Sequence, residues 1–211
     1  MNILRKRVIK TDGYIIKKAG PEALSIDSPE WSRAEIIGIN TLNWKEFDAG
    51  IHTEARVLYN EKGLFVKFVS DEHPVSVNCR EFNGEVYEDS AVEFFFAPDN
   101  GSENYFNFEI NAEGYALIGL GPGRERIRIY DTDPSLFDIQ TTITDKGFEV
   151  FLFIPFTFIK KYFDNISGTM KGNFQKCRET PPLTHFYSAF GIGTPEPDFH
   201  RPEYFKSLVF E

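Results

Sequence analysis

Short apolar segments, separated by residues that favour turns, recur from about Ala55 onward, and this cadence restricts the fold more than any other feature. The segments have the length and composition of strands rather than of helices. They are ARVLYN, LFVKFVSD, AVEFFFAP, NYFNFEIN, RIRIYD, DIQTTIT, FEVFLFIP, HFYSAFGI and SLVFE. The turn-rich stretches EKG (61–63), DNGSE (99–103) and DKG (145–147) predict three hairpins. We therefore predict an all-β fold, an antiparallel β-sandwich of jelly-roll or immunoglobulin-like topology.

Helical signals are scarce. PEWSRA predicts a short turn at Trp31, and PFTFIKKYF, which begins at Pro155, predicts one short helix. No internal repeat, low-complexity tract or long Pro/Gly/Ser linker divides the chain. We therefore predict a single domain over residues 1–211, with 22 phenylalanines making its core unusually aromatic.

The charge balance argues against nucleic acid as a partner. The formal net charge is −9, and the basic residues are scattered except for a short cluster near the N-terminus, so most of the surface repels polyanions. No apolar stretch reaches membrane-spanning length, and none follows the N-terminal basic residues as in a signal peptide. As written, the sequence predicts a cytoplasmic protein with no membrane partner, or a periplasmic or secreted one if a signal peptide has been removed.

Motifs for metal or nucleophilic chemistry are weak. Cys79 and Cys177 show no CxxC spacing and are predicted to be free thiols, with one disulfide as the alternative. The histidines lack HExxH spacing, and Ser188 lacks a GxSxG context. Acidic stretches such as Asp131-Thr132-Asp133 offer oxygen ligands but no EF-hand spacing. Structural calcium therefore remains an open alternative, no cofactor is certain, and the metal ligands are unknown.

Alternation in the central predicted hairpin separates an apolar face from a polar one. In NYFNFEIN, Phe106 and Phe108 lie on one face, and Asn107 and Glu109 lie on the other. If AVEFFFAP pairs with this strand, Glu93 joins Asn107 and Glu109 on the polar face. The result is a patch of carboxylate and amide groups.

Three interpretations of this patch stay open at this point. A sugar offers hydroxyl groups to carboxylates and amides, and its C–H faces rest on aromatic rings. A glycoside hydrolase needs two carboxyl groups about 5 to 10 Å apart, and candidates for that role are Glu88, Asp89, Glu93 and Glu109. The third interpretation is purely structural: the polar face meets water, or Glu93 is buried and paired with a nearby arginine or tyrosine for the sake of the fold.

Five stretches, taken in their order and spacing, resemble the family 9 carbohydrate-binding modules, whose fold is related to DOMON-type sandwiches. They are PEWSRAEII, ARVLYNEKGLFVKFVSDE, VYEDSAVEFFFAPDNGSENYFNFEINAEG, FEVFLFIPF and GNFQKCRETPPLTHFYSAFGIGTPEPDFHRPEYFKSLVF. The resemblance covers most of the chain. It implies a protein that holds a sugar ring between two aromatic side chains and binds its hydroxyls with a glutamate, an arginine or amide, and asparagines.

The motif aromatic-E-D-x-x-V-E places one stacking ring at Tyr87 and the hydroxyl-binding glutamate at Glu93. The loop PEPDFHRPEYF offers Phe199 or His200 as the second ring. Trp31 and Trp44 match positions that the resemblance places in the core. The carbohydrate site implied by the patch and the resemblance consists of Tyr87, Glu93, Asn107, Glu109, Phe199 and His200, with no catalytic residue.

The sequence also departs from the pattern of the resemblance. Tyr87 and Asn107 stand where xylanase-borne members carry a tryptophan and an arginine, and Ala189-Phe190 stand where a tryptophan and an asparagine are common.

The favoured function is non-catalytic binding of a neutral carbohydrate, as a mono- or oligosaccharide or a glycan chain end, in support of polysaccharide utilisation. A glycoside hydrolase or a second copy of the chain is a candidate partner. The alternatives are a weakly hydrolytic protein that acts on glycosyl bonds, and a scaffold whose sugar site has decayed.

Overall fold

The computed structural model describes residues 13–211, and within them the chain forms fourteen strands. The strands are β1 (Gly13–Lys18), β2 (Ile37–Gly38), β3 (Thr41–Leu42), β4 (Thr53–Tyr59), β5 (Gly63–Ser70), β6 (Ala91–Ala97), β7 (Tyr105–Asn111), β8 (Ala116–Gly121), β9 (Ile127–Arg128), β10 (Gln140–Thr144), β11 (Gly147–Pro155), β12 (Thr169–Arg178), β13 (His185–Ser188) and β14 (Lys206–Phe210). The predicted basic cluster lies among residues 1–12, outside the described residues.

The strands form two antiparallel layers. The first layer, here called the cleft sheet, has the order β14-β12-β6-β7-β8-β9, with β13 also paired to β12 and β3 paired to β13. The second layer, the back sheet, has the order β10-β11-β5-β4, with β2 paired to β4. The predicted β-sandwich is confirmed, and so are the three predicted hairpins, β4–β5, β6–β7 and β10–β11.

Strand β1 joins the two layers along one side of the sandwich. Its first half pairs in parallel with β14 of the cleft sheet, and Lys17 and Lys18 pair in parallel with β4 of the back sheet. Tyr14 and Ile16 are buried while Ile15 is 37% exposed, so the alternation of a half-buried strand is present in this segment.

Helical structure in the described residues is confined to short pieces. The α-helix α1 spans Phe156–Ile159 and follows Pro155, as predicted. A 3-10 helix spans Pro29–Arg33 and buries Trp31, at the predicted turn. Further 3-10 helices span Lys45–Phe47, Val86–Glu88, Pro134–Phe137 and Pro202–Tyr204. No helix among residues 13–211 is both long and apolar enough to cross a membrane.

The core between the layers is built from aromatic rings. Phe94 of β6 stacks on Phe174 of β12, with ring centroids 4.7 Å apart, and Phe174 meets Phe68 of the back sheet edge to face. Phe106 and Phe108 are fully buried in the same cluster. The predicted alternation in NYFNFEIN is therefore confirmed, and it leaves the opposite face of β6 and β7 to build a site.

Candidate functional site

Two glutamates face each other on the outer side of the cleft sheet. Glu93 of β6 lies directly opposite Glu109 of β7, and on its other side it lies opposite Gln175 of β12. Cys177 follows Gln175 by two residues and so shares this face. The phenylalanines on the opposite face anchor the three strands in the core, which fixes the position of the carboxyl groups.

Loops and short helices enclose this face in a cleft of about 500 Å³. One wall comes from the 3-10 helix that carries Tyr87, a second from the connection between β8 and β9, and a third from the loop before β14. The lining residues are Tyr87, Glu93, Glu109, Arg124, Arg126, Arg128, Cys177, Glu179, Phe186, Pro197, Asp198, Phe199 and His200. The volume lies in the range of small-molecule sites.

The two glutamates differ in their hydrogen-bond partners although both are only 2% exposed. Glu109 Oε1 accepts from Asn107 Nδ2 at 2.7 Å and from Arg126 Nη2 at 3.1 Å. Within residues 13–211, Glu93 Oε1 accepts only from the Cys177 thiol, at 3.0 Å. A guanidinium and an amide stabilise a carboxylate far better than a thiol does, because the S–H group is a weak donor.

Three polar atoms of the cleft are buried and lack a hydrogen-bond partner among the described residues. They are Glu93 Oε2, Glu109 Oε2 and Arg126 Nε. An unsatisfied buried polar group is costly, and native proteins leave few of them. A polar ligand in the cleft would supply the missing partners, so the arrangement suits a molecule with several hydroxyl groups.

Burial and neighbouring charge shift the pKa values of the cleft. Burial, reinforced by the charge of Glu109, raises the pKa of Glu93 well above its usual value. Burial also raises the pKa of Glu109, although Arg126 and Asn107 oppose that shift. Burial and the nearby Arg126 lower the pKa of His200 to about 3, so its imidazole is neutral near pH 7.

Aromatic rings form the apolar part of the cleft. Phe186 and Phe199 meet edge to face at 6.1 Å, and Trp44 packs beneath both, at 6.2 Å from Phe186 and 5.9 Å from Phe199. Trp44 is 3% exposed and Trp31 is 7% exposed, which confirms that both tryptophans belong to the core. Trp44 thus supports the rings that line the cleft.

The His200 ring is held rigidly in the wall. It packs on Phe95 with centroids 4.8 Å apart, and its Nδ1 is 2.8 Å from the Tyr105 hydroxyl. Nε2 has no hydrogen-bond partner among residues 13–211. If the tyrosine hydroxyl donates to Nδ1, Nε2 carries the proton and is a donor available to a ligand.

The structure brings five of the six predicted site residues together in the cleft wall: Tyr87, Glu93, Glu109, Phe199 and His200. Asn107 does not line the cleft. It is fully buried and holds Glu109 through its amide, while its own Oδ1 lacks a partner. Asn107 therefore acts on the cleft only through its hydrogen bond to Glu109. Phe190, at the other departure from the family pattern, packs in the core.

The four carboxylates of the hydrolase alternative do not assemble. Asp89 is fully buried away from the cleft, where its carboxylate accepts from the backbone amides of Asn78 and Cys79. Glu88 is exposed and does not line the cleft either. Among residues 13–211, Glu93 forms no ion pair or hydrogen bond with an arginine or tyrosine side chain, and its carboxyl group instead accepts from the thiol of Cys177.

Sequence analysis missed the arginines of the segment RERIRI. Arg124, Arg126 and Arg128 all line the cleft, and their spacing of two residues is the signal that could have found them. Arg126 pairs with Glu109, whereas Arg124 Nε pairs with Asp198 at 3.0 Å. The family pattern places the guanidinium on the strand of Asn107, but here the guanidinium of Arg126 comes from the connection between β8 and β9.

Cys79 and Cys177 are free thiols, as predicted. Among residues 13–211, no three histidine, cysteine, aspartate or glutamate side chains are grouped so as to hold a metal ion.

The family model for carbohydrate-binding family 9 matches residues 28–210. The chain belongs to carbohydrate-binding family 9. This match covers most of the chain and bears out the prediction of a binding protein rather than an enzyme. No curated protein matched the chain.

Solved structures resemble this family 9 protein over nearly its whole length. A proposed carbohydrate-binding protein from Bacteroides uniformis ATCC 8492 is 27% identical, with a TM-score of 0.82, covering 94% of this chain and 99% of that one. A family 9 module from Caldicellulosiruptor kristjanssonii, in complex with cellotriose, is 12% identical with a TM-score of 0.66, and the match covers 94% of this chain and 93% of that one. A family 9 module from the same organism, in complex with glucose, is 12% identical with a TM-score of 0.64, and the match covers 94% of this chain and 95% of that one.

Proposed function

We propose that the cleft binds one ring of a neutral carbohydrate, as a free sugar or at the end of a glycan, without turnover. The observation that carries the proposal is the set of unpartnered buried atoms: Glu93 Oε2, Glu109 Oε2 and Arg126 Nε, inside a cleft with aromatic walls. Sugar hydroxyls both donate and accept, so one ring satisfies carboxyl and guanidinium groups together. Such binding would support the use of polysaccharides by the cell.

Each wall has a role in this proposal. Glu109 accepts from a hydroxyl, and Arg126 donates to an oxygen. The rings of Tyr87 and Phe199 are the candidates for contact with the apolar C–H faces of the sugar. The deep burial of the carboxyl groups strengthens each of these hydrogen bonds, because water competes poorly inside the cleft.

Relatives of the chain support a sugar as the ligand class. The Caldicellulosiruptor kristjanssonii modules were solved with cellotriose and with glucose. Here the first ring is a tyrosine and no tryptophan lines the cleft. A single sugar of about 12 heavy atoms, at roughly −0.3 kcal/mol per atom, would gain near −4 kcal/mol, which corresponds to a Kd of about 1 mM.

Calorimetric titration of the full chain with glucose, cellobiose and xylobiose tests the proposal. We expect binding of at least one of these sugars in the wild-type protein and its loss in Tyr87→Ala and in Glu109→Ala. The matched control is Tyr59→Ala, since Tyr59 is also half-buried but packs on Phe210 outside the cleft. Binding that survives both cleft substitutions would contradict this site.

The scaffold alternative makes the opposite prediction. If the site has decayed, no sugar in the panel binds a folded protein, and a second copy or another partner covers the cleft. Sedimentation of the wild-type chain with and without cellobiose distinguishes the two. A monomer that binds cellobiose supports the carbohydrate proposal.

A further inference from the structure

Building on the proposed carbohydrate function, we infer that Glu93 meets its ligand as a protonated carboxylic acid that donates a hydrogen bond, while its neighbour Glu109 is the ionised acceptor. The site thereby presents two chemically different carboxyl groups side by side. This reverses the sequence-based expectation for Glu93, which treated it as an acceptor.

The first support is the register of the sheet. Glu93 and Glu109 are directly opposite each other on adjacent antiparallel strands, a relation that places Cβ atoms about 4.5 to 5.5 Å apart. Both side chains are only 2% exposed. Carboxylates on two such neighbouring side chains, both shielded from water, disfavour each other's negative charge strongly, so one carboxyl group holds a proton.

The second support is the unequal set of partners, which decides where the proton resides. Glu109 receives a guanidinium N–H from Arg126 and an amide N–H from Asn107, and both stabilise a carboxylate. Glu93 receives only the thiol of Cys177. The proton therefore belongs to Glu93, and Oε2, which has no partner among the described residues, is the atom free to donate it.

The remaining charged and titratable groups around the pair do not overturn this assignment. Burial raises the pKa of Cys177, which keeps the thiol neutral, and burial together with the nearby Arg126 lowers the pKa of His200 to about 3. Glu179 raises the pKa of Glu93 further, and Arg126 opposes it. The other such groups that line the cleft or interact electrostatically with Glu93 or Glu109 are Tyr87, Tyr105, Arg124, Arg128 and Asp198.

A donor beside an acceptor sets a specific requirement on the sugar. Glu93 donates to a ligand oxygen, such as a ring or hydroxyl oxygen, while Glu109 accepts from a neighbouring hydroxyl. Because the ligand contact needs the proton, affinity falls as pH rises through the pKa of Glu93. Two ionised carboxylates would instead bind equally well across that range.

The protonation state is tested without a ligand, by ¹³C NMR of glutamate carboxyl carbons in the full-length protein. The carboxyl signals of Glu93 and Glu109 are assigned by correlating them with the backbone resonances of the wild-type protein, so the assignment requires no variant. We expect Glu93 to show the shift of a carboxylic acid at pH 7 and to titrate above it, with Glu109 ionised at pH 7. An ionised Glu93 at pH 7 overturns the inference.

Cellobiose calorimetry tests the donor role. The affinity of Glu93→Gln for cellobiose should not change as the pH rises, because an amide N–H donates at every pH. Glu109→Gln should weaken binding by about tenfold or more, because a charged acceptor is lost. Wild-type affinity should fall as the pH rises through the Glu93 pKa found in the NMR titration.

The two proposals fail in different ways. If the affinity of folded Glu93→Gln falls with rising pH as that of the wild type does, the fall does not come from Glu93 and the inference is wrong. If the wild-type protein binds neither cellobiose nor any other sugar of the panel, the carbohydrate proposal is contradicted, and the NMR titration still decides whether Glu93 holds the proton.

Discussion

Arg126 is the residue on which the charge balance of the cleft depends. Its guanidinium, 15% exposed in the side chain, is the cationic partner of Glu109, which is 2% exposed. Without it, Glu109 is left buried beside Glu93 with no ion-pair partner among the described residues, and the loss of one partner of a buried pair is strongly destabilising. The same side chain also offers Nε to a ligand.

We predict that Arg126→Ala lowers the free energy of unfolding by about 2 to 3 kcal/mol, somewhat below the range for fully buried pairs. Urea denaturation at pH 7 measures this change. The control is Arg80→Ala, which removes an exposed ion pair with Glu113 and should cost less than about 1 kcal/mol. Equal losses of unfolding free energy in the two variants would contradict the prediction, because the buried ion pair of the cleft would then stabilise the fold no more than an exposed one.

Glu93 makes stability depend on pH in a defined direction. Its pKa is raised above the value near 4.5 that it has when unfolded. Below pH 4.5 both states are protonated; above it the unfolded state loses its proton first, so the contribution of Glu93 to stability falls as pH rises toward the folded pKa.

Glu93→Gln should therefore unfold at higher urea concentration than the wild-type protein at pH 8, with the difference shrinking toward pH 4. The comparison is made by urea denaturation at pH 4, 6 and 8. Exposed Glu103→Gln serves as the control and should show no such pH-dependent gain. If the stability difference between Glu93→Gln and the wild type instead grew toward low pH, the raised pKa of Glu93 in the folded state would be contradicted.

At the scale of elements, β12 is the central strand that the hydrophobic pattern did not reveal. It pairs with β6, β13 and β14. Polar side chains lie on both faces of its second half: Gln175 belongs to the face of the cleft, and Lys176 and Arg178 form an ion cluster with Glu72 between the layers. Sequence patterns identify strands by apolar alternation, and β12 has little of it.

The ion cluster yields a prediction at this scale. Lys176 Nζ lies 2.5 Å from Glu72 Oε2, and both side chains are fully buried. Burial and the charge of Lys176 lower the pKa of the adjacent His185 to about 4, so in the wild-type protein its imidazole is neutral at pH 7 and the positive charges beside Glu72 are those of Lys176 and Arg178. Lys176→Met should cost about 3 to 5 kcal/mol in unfolding free energy, because Glu72 loses its principal cation.

Adding Glu72→Gln to Lys176→Met should restore part of that stability, since the uncompensated carboxylate is then removed. Thermal and urea unfolding measure both variants. Sugar binding by the folded double variant should match the wild type, because neither residue lines the cleft. A double variant as unstable as the sum of the single changes would contradict this account.

At the scale of the whole molecule, β1 connects the two layers and the cleft lies on the outer face of one of them. The carboxyl groups sit on strands whose other faces anchor them in the aromatic core. Such a rigid platform holds a ligand without a moving element, and the chain belongs to a carbohydrate-binding family. A binder with no turnover is the expected behaviour of such a molecule.

We therefore predict no release of reducing sugar when the protein is incubated with cellotriose, xylan and other neutral glycans at pH 5 to 8. A reducing-end assay over many hours measures this, with Glu93→Gln run in parallel. Release by the wild type that vanishes in Glu93→Gln would contradict the prediction and would indicate that the carboxyl pair is catalytic.

The sequence by itself determined the elements whose signals are local. Alternation in the β6–β7 hairpin predicted which face Phe106 and Glu109 occupy, because successive side chains of a strand must point to opposite sides. Turn residues marked the hairpins. The family spacing identified Tyr87, Glu93, Phe199 and His200 as neighbours in space.

Tertiary structure alone decided how those residues are arranged chemically. It brought Arg126 from the β8–β9 connection to Glu109, placed Asn107 behind the carboxylate rather than in the cleft, and left Glu93 with a thiol as its partner. These relations arise from pairing between distant segments and from exclusion of water. No local pattern encodes either, and together they determine which carboxyl group holds a proton.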